Sequence, residues 1–297
     1  MRRLVESVFV PPAASVIAGR RGFFAKHGLE VVQSPVASSR QQLDELMSGR
    51  ADVAVTATDN LLVWNGSGAD LAVVGQVDAT TELVLLLRPG LVRPEDVGVL
   101  RLAVDAPTNG FAVVAYSMME HLGRDRSAYE VLEVGGVAQR FEALVDGTAD
   151  ATLVAAPLDE IGQSQGMVAF MRVRDIVSAY PGLAIVARRS KLDRSVTGVA
   201  SYLAALEEAV HWCRAAPLID VGAELGSAGF GPSAVKAVLA TLPISVAPSD
   251  AGFAQLIALR RRVDMTIPGA PDPNRLIDTR AAAAAGLLRP HQGEVNV

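Results

Sequence analysis

Short β-branched runs alternate with helical patterns along the first two thirds of the chain, and this alternation limits the fold more than any other feature. The runs are Leu4–Val10, Leu29–Gln33, Val53–Thr56, Leu71–Gln76, Leu83–Leu87, Leu100–Val104, Tyr129–Val134, Ala151–Val154, Met167–Arg172 and Gly182–Ala187. Each leads into a polar or glycine-bearing turn and then a helical pattern. Such βα units build open, largely parallel sheets covered by helices. Helix ends are legible between them. Ser38 and Ser39 precede Gln41 and Gln42 as a doubled capping box, and Gly49 closes that helix. Asn109 is placed to cap a longer helix that ends near Gly123. From about Ser190 the pattern is helical alone, clearest over 201–215, 233–242, 249–263 and 278–287. The expected fold is α/β with a helical C-terminal third.

An internal echo bears on domain organisation. Gln41–Ala54 returns as Gln139–Thr152 at a constant offset of 98. Leu43/Phe141, Leu46/Leu144 and Met47/Val145 keep an apolar face, while Gly49/Gly147, Ala51/Ala149 and Asp52/Asp150 keep a helix-to-strand turn. Two copies at so long a period are not a solenoid. They fit two similar lobes facing each other, or a chance likeness between two common helix–glycine–strand turns.

Composition removes several classes of function. Half of the 297 residues are apolar and 20% are charged, which supplies a core and excludes disorder for most of the chain. No uninterrupted apolar run approaches the ~20 residues of a membrane span. A net charge of −5 argues against nucleic acid as a partner. The single cysteine, Cys213, allows neither an internal disulfide nor a cysteine-cluster metal site. Arg2-Arg3 and the apolar stretch after them imitate an export signal. Glu6 and Pro11-Pro12 interrupt it, however, and Arg20-Arg21 follow where cleavage would fall. The expected location is cytoplasmic if Met1 is the natural start, and periplasmic or cell-surface if a leader precedes it.

Several motifs resemble one family. Gly19-Arg-Arg-Gly-Phe-Phe-Ala-Lys-His-Gly-Leu-Glu-Val is similar to the "ekGfFekeGLdV" signature of type 2 periplasmic substrate-binding proteins, in the nitrate, alkanesulfonate and thiamine-precursor branch that serves ABC transporters. Leu46–Val55 resembles that family's "l.sGeaDva" turn, and Val73–Asp78 its strand entering the second lobe. Leu83–Gly90 resembles its crossover, and the tail from Pro271 to Asp278 its close. The matches run in order from about residue 4 to 288. The resemblance implies two α/β lobes joined by two crossing strands around a ligand cleft. Residues 1–87 with 185–297 would form lobe one and 88–184 lobe two, with crossings near Leu83–Leu87 and Ile185–Ala187. It implies no cofactor, a small-molecule ligand, and a permease as partner if the chain is exported. Cytoplasmic relatives on this fold include cofactor-free decarboxylases, desulfinases and a thiamine-pyrimidine synthase. Cys213 stands beside Trp212 in a late helix, so neither the desulfinase cleft cysteine nor the synthase's cysteine-rich motif carries over.

In open α/β sheets, ligands sit beyond the carboxyl ends of strands, where helix N-termini offer free N–H groups. That rule selects Pro11, Ser38, Ser39, Arg40, Thr56, Thr58, Asp59 and Asp78 on one lobe. On the other it selects Asp105, Thr108, Asn109, Gly110, Gly135, Gly136 and Ala156. Hydroxyls and amides suit a carboxylate or sulfonate. Ser38 and Ser39 also read as plain helix caps. Arg40 reads as a bidentate anion clamp or as a solvated first-turn arginine. Asp59 and Asp105 are the candidate proton-transfer groups, although an aspartate so placed more often caps the following helix. Asp78 is placed toward the hinge, with Asp159 a further cleft carboxylate. Phe9, Trp64 and Phe111 lie near cleft turns, whereas Phe141 belongs to the core by its echo with Leu43. His27 and His121 occupy last turns of helices, His211 is mid-helix and His291 is in the tail. No metal spacing, phosphate loop or nucleophile elbow is present in the sequence. The leading reading is capture of a small organic anion or heteroaromatic solute. The alternative is a cytoplasmic cofactor-independent lyase, decarboxylase or hydrolase using Asp59 or Asp105 with Arg40.

Overall fold

All ten β-branched runs are strands in the computed structural model, which describes residues 1–178, 180–267, 272 and 275–288. They are β1 (Arg2–Val8), β2 (Leu29–Pro35), β3 (Val53–Ala57), β4 (Leu71–Gln76), β5 (Val84–Leu87), β6 (Leu100–Val104), β7 (Tyr129–Glu133), β8 (Ala151–Val154), β9 (Val168–Arg172) and β10 (Leu183–Arg188). The helices up to β10 are α1 (Ala13–Arg20), α2 (Phe23–Lys26), α3 (Ser39–Ser48), α4 (Thr58–Gly66), α5 (Gly110–His121), α6 (Val137–Val145) and α7 (Leu158–Ser164). Beyond β10 come α8 (Arg189–Arg194), α9 (Thr197–Ala215), α10 (Leu218–Gly226), α11 (Pro232–Thr241), α12 (Phe253–Arg262) and α13 (Arg280–Ala284). The expected helical third is therefore present, with α8 and α10 in addition. His291 and part of the Pro271–Asp278 stretch lie outside the described residues.

The strands form two five-stranded sheets of matching design, ordered β2-β1-β3-β10-β4 and β7-β6-β8-β5-β9. In each, the first three strands are parallel and the other pairings are antiparallel. The sheets are thus mixed rather than largely parallel. The reason is the connection: β5 arrives from the first sheet and β10 from the second, so each enters against the direction of its parallel neighbours. The chain crosses between Gln76 and Val84 and again between Arg172 and Leu183. The two crossings touch: Thr80 bridges to Pro181, and its hydroxyl donates to the Tyr180 carbonyl at 2.8 Å. A Cβ on Gly182 would lie 2.0 Å from the Asp78 carbonyl oxygen, so only glycine lets the crossings pass this closely.

The echo at offset 98 has a structural counterpart. Asp52 bonds the Val5 backbone twice, its N–H donating to Val5 O at 2.9 Å and its side-chain Oδ2 accepting from Val5 N–H at 2.9 Å. Asp150 repeats both bonds on Arg101, at 2.8 and 2.9 Å. Registers agree as well: Ser7 faces Ala54 in one sheet and Ala103 faces Thr152 in the other. Alternation then divides β1 between two cores. Leu4 and Val8 pack with α1 and α9, while Val5 turns toward the opposite face. Helix α12 packs against both α4 and α5, and its Phe253, Leu256 and Leu259 belong to an apolar cluster shared by both sheets.

Candidate functional site between the two sheets

A strand order of 2-1-3 opens a crevice where successive connections leave in opposite directions, and in this fold type that crevice is where ligands bind. In the first sheet Gln42 fills it, donating through Nε2 to the carbonyls of Ser7 and Val55, both at 3.0 Å. In the second sheet the echo position is Arg140. Its Nη1 donates to Thr152 Oγ1 at 2.9 Å and to the Leu153 carbonyl at 2.5 Å, and its Nε donates to the Gly135 carbonyl at 3.2 Å. Equivalent side chains thus cap equivalent strand ends, one neutral and one cationic. Arg140 is buried and its Nη2 has no partner among the described residues. Burial lowers its pKa to about 10, against the opposing influence of nearby Asp105. The sequence rule for strand-end turns passed over Arg140 because it lies within a helix. Its match to Gln42 at offset 98 was the available signal.

The turns of the two sheets face one another. A Cβ on Gly136 would sit 3.9 Å from the Ala37 carbonyl oxygen, and one on Gly110 would sit 2.4 Å from Asp59 Cβ. Ala37 and Asp59 follow strands of the first sheet; Gly110 and Gly136 follow strands of the second. Helices α1, α4 and α6, which follow β1, β3 and β7, start without a side-chain cap and so leave their first N–H groups uncapped.

Around this gap the residues selected from the sequence have distinct settings. Ser38 caps α3, its Oγ accepting from Gln41 N–H at 3.2 Å, and Ser39 is the first residue of that helix. Arg40 is exposed and has no hydrogen bond or ion pair among the described residues. Pro11 is half-buried beyond β1, and Ala156 is exposed beyond β8. Thr56 is buried and accepts from Asn60 Nδ2 at 2.9 Å, while Thr58 Oγ1 donates to the Gly182 carbonyl at 2.8 Å. Asn109 caps α5 by accepting from Ala112 N–H at 2.8 Å, and its Nδ2 donates to Asp105 Oδ2 at 2.9 Å. Gly135 has φ of 111°, a left-handed conformation, and Gly136 is the N-terminal cap of α6. Asp78 lies on the first crossing, accepting from Thr241 Oγ1 at 3.2 Å; burial pushes its carboxyl up to about 7.

Asp59 is buried and both its oxygens are taken by one arginine. Arg260 Nε donates to Oδ1 at 2.8 Å and Nη2 to Oδ2, and Nη2 also reaches the exposed Thr108's carbonyl at 3.0 Å. Burial pushes the Asp59 carboxyl above its ordinary range, and the Arg260 guanidinium pulls it down. Tyr180 stands beside this pair, its ring 6.5 Å from that of Phe111. Neither Arg260 nor Tyr180 carries a sequence signal: one sits in a run of three arginines, the other in a connection. Trp64 is buried in the core below α4 instead of lining the gap, Phe9 is exposed beyond β1, and Phe141 is in the second core. Cys213 is buried, and burial pushes its thiol up to about 11. His27 and His211 contact Glu208 and Glu207 away from the gap. Among the described residues, no group of three or more His, Cys, Asp or Glu is placed to hold a metal, and no helix is long and apolar enough to cross a membrane.

Solved structures with the same fold cover almost the whole chain. The periplasmic aliphatic sulphonate binding protein SsuA from Escherichia coli superposes with a TM-score of 0.73 at 19% identity, over 94% of this chain and 92% of that one. The periplasmic nitrate-binding protein NrtA from Synechocystis PCC 6803 gives 0.75 at 16% identity, over 97% and 88%. The desulfurization enzyme DSZB gives 0.69 at 15% identity, over 96% and 99%. No curated protein sequence matches the chain. The family model described as NMT1/THI5 like matches residues 13–218, and with the two-sheet fold and facing turns in place, the chain belongs to that family.

Proposed function

We propose that the protein captures a small organic anion between its two lobes, as the solute-binding component of an ABC-type importer. The observation that carries this reading is the facing of equivalent strand-end turns across one gap, with Ala37 against Gly136 and Asp59 against Gly110. Uncapped helix N-termini and the buried Arg140 on the second lobe make that gap favourable to negative charge. Aliphatic sulphonate binding by one protein of this fold supports an organic anion, and nitrate binding by another supports anion capture more generally. The partner would be an importer permease, and the working compartment the periplasm. The lobes would hinge within 77–83 and 177–182. That division refines the expected 1–87 with 185–297 against 88–184, because β5 hydrogen-bonds into the second sheet. Catalysis at Asp59 would require a free carboxylate oxygen, and Arg260 holds both.

Calorimetric titration with nitrate, alkanesulfonates and short carboxylates tests the proposal. Arg140→Gln is the informative variant. Gln42 shows that an amide at this position can cap the strand end, so the fold should survive while the charge is lost. Affinity should fall about tenfold or more, as expected for a hydrogen bond to a charged group. Failure of the whole panel to bind would overturn the proposal. So would turnover of a carboxylic acid that disappears in Asp59→Asn or Asp105→Asn while binding survives.

A further inference from the structure

The Asp59–Arg260 pair joins three parts of the molecule. Asp59 opens α4 in the first lobe, Arg260 belongs to α12 in the C-terminal third, and Thr108 lies on the turn before α5 in the second lobe. The pair is almost wholly buried, at 1% and 4% side-chain exposure. Its geometry is bidentate, the form that best offsets removal of both charges from water. Gly110 makes the arrangement possible. Any Cβ there would meet Asp59 Cβ at 2.4 Å, so α5 could not approach α4 this closely with another residue. Helix α12 packs on both α4 and α5, which brings Arg260 to the seam. The Tyr180 hydroxyl is sealed at the same seam with no hydrogen-bond partner among the described residues, a group that separation of the lobes would hydrate.

We propose that Asp59, Arg260 and Gly110 form an interlobe latch that positions the lobes in the closed arrangement. The latch fixes the width of the gap and the approach of Gly136 to Ala37. Against it stand the Tyr180 hydroxyl, unpartnered among the described residues, and the desolvation of two charges, which leave a minor open population. The term positioning residue rests on the capture reading, but the latch itself can be measured with no solute added.

Asp44 and Glu142 are exposed on α3 and α6, behind the Ala37–Gly136 contact, and accept spin labels after Asp44→Cys and Glu142→Cys in a Cys213→Ala background. Pulsed dipolar spectroscopy on dialysed protein then reads the interlobe distance. The parent should show one dominant short distance, with an open population of at most about 10%. Asp59→Asn combined with Arg260→Gln removes both charges together and leaves neither buried alone. Gly110→Ala wedges the seam instead. Each variant should shift the majority of molecules to longer distances while circular dichroism shows a folded protein. A parent already dominated by the longer distance would overturn the latch. So would a folded Gly110→Ala protein with an unchanged distribution, whatever the double variant does. Because no solute enters the measurement, this outcome is independent of whether anions bind.

Discussion

Single residues at the seam carry unusual electrostatics, and Asp78 gives the clearest consequence. Burial pushes its carboxyl up to about 7 from an ordinary 3.8, although the Thr241 hydroxyl pulls the other way. A carboxyl whose folded pKa exceeds its unfolded value binds more protons when folded. Its contribution is full below 3.8 and is lost as pH rises through about 7. Thermal midpoints should therefore fall between pH 5 and pH 8, and Asp78→Asn should flatten that dependence; an equally steep profile in the variant would contradict it. Strand-end logic had put Asp78 toward the hinge, and it lies on the crossing. The same logic selected Asp59 and Gly110 separately. That they abut across the lobes, with Arg260 closing the pair, depends on a helix some 200 residues away in sequence and could not be read locally.

Between residues and whole lobes, the recurring element is a helix, a glycine turn and a strand. Both copies, α3 into β3 and α6 into β8, turn at a left-handed glycine, with φ of 78° at Gly49 and 75° at Gly147. An added methyl at Gly147 meets nothing within 4 Å, so Gly147→Ala isolates backbone strain. It should cost about 1–2 kcal/mol in urea unfolding. Gly49→Ala should cost at least as much, because its methyl would also approach Arg188 Nη2 at 3.0 Å. Near-zero values at both sites would mean that the turns can relax to another conformation. These elements were legible because helix caps, glycine stops and β-branched runs are local signals. Two things were not. The reversed direction of β5 and β10 follows from where each strand comes from, not from its composition. The exchange of Gln42 for Arg140 within the repeat looks like an ordinary surface substitution until both side chains are seen capping strand ends.

For the molecule as a whole, the apolar cluster that spans both sheets through α12 predicts one cooperative unfolding event. Far-UV circular dichroism and Trp64 fluorescence in a Trp212→Phe background should report the same midpoint in denaturant. Separate transitions would show that the lobes unfold independently in spite of the shared cluster. At this scale the sequence by itself determined the ten strands and the helical C-terminal third, and its echo pointed to a doubling into two similar halves. Each of these rests on periodicity, capping or repetition within short stretches of chain. Only the tertiary structure decided that the halves meet at Gly110 and Gly136, that a buried arginine caps in one half the strand end that an amide caps in the other, and that Asp59 pairs with Arg260 of α12. Those features are contacts between distant segments, and they form only where folding packs and pairs groups that no local pattern brings together.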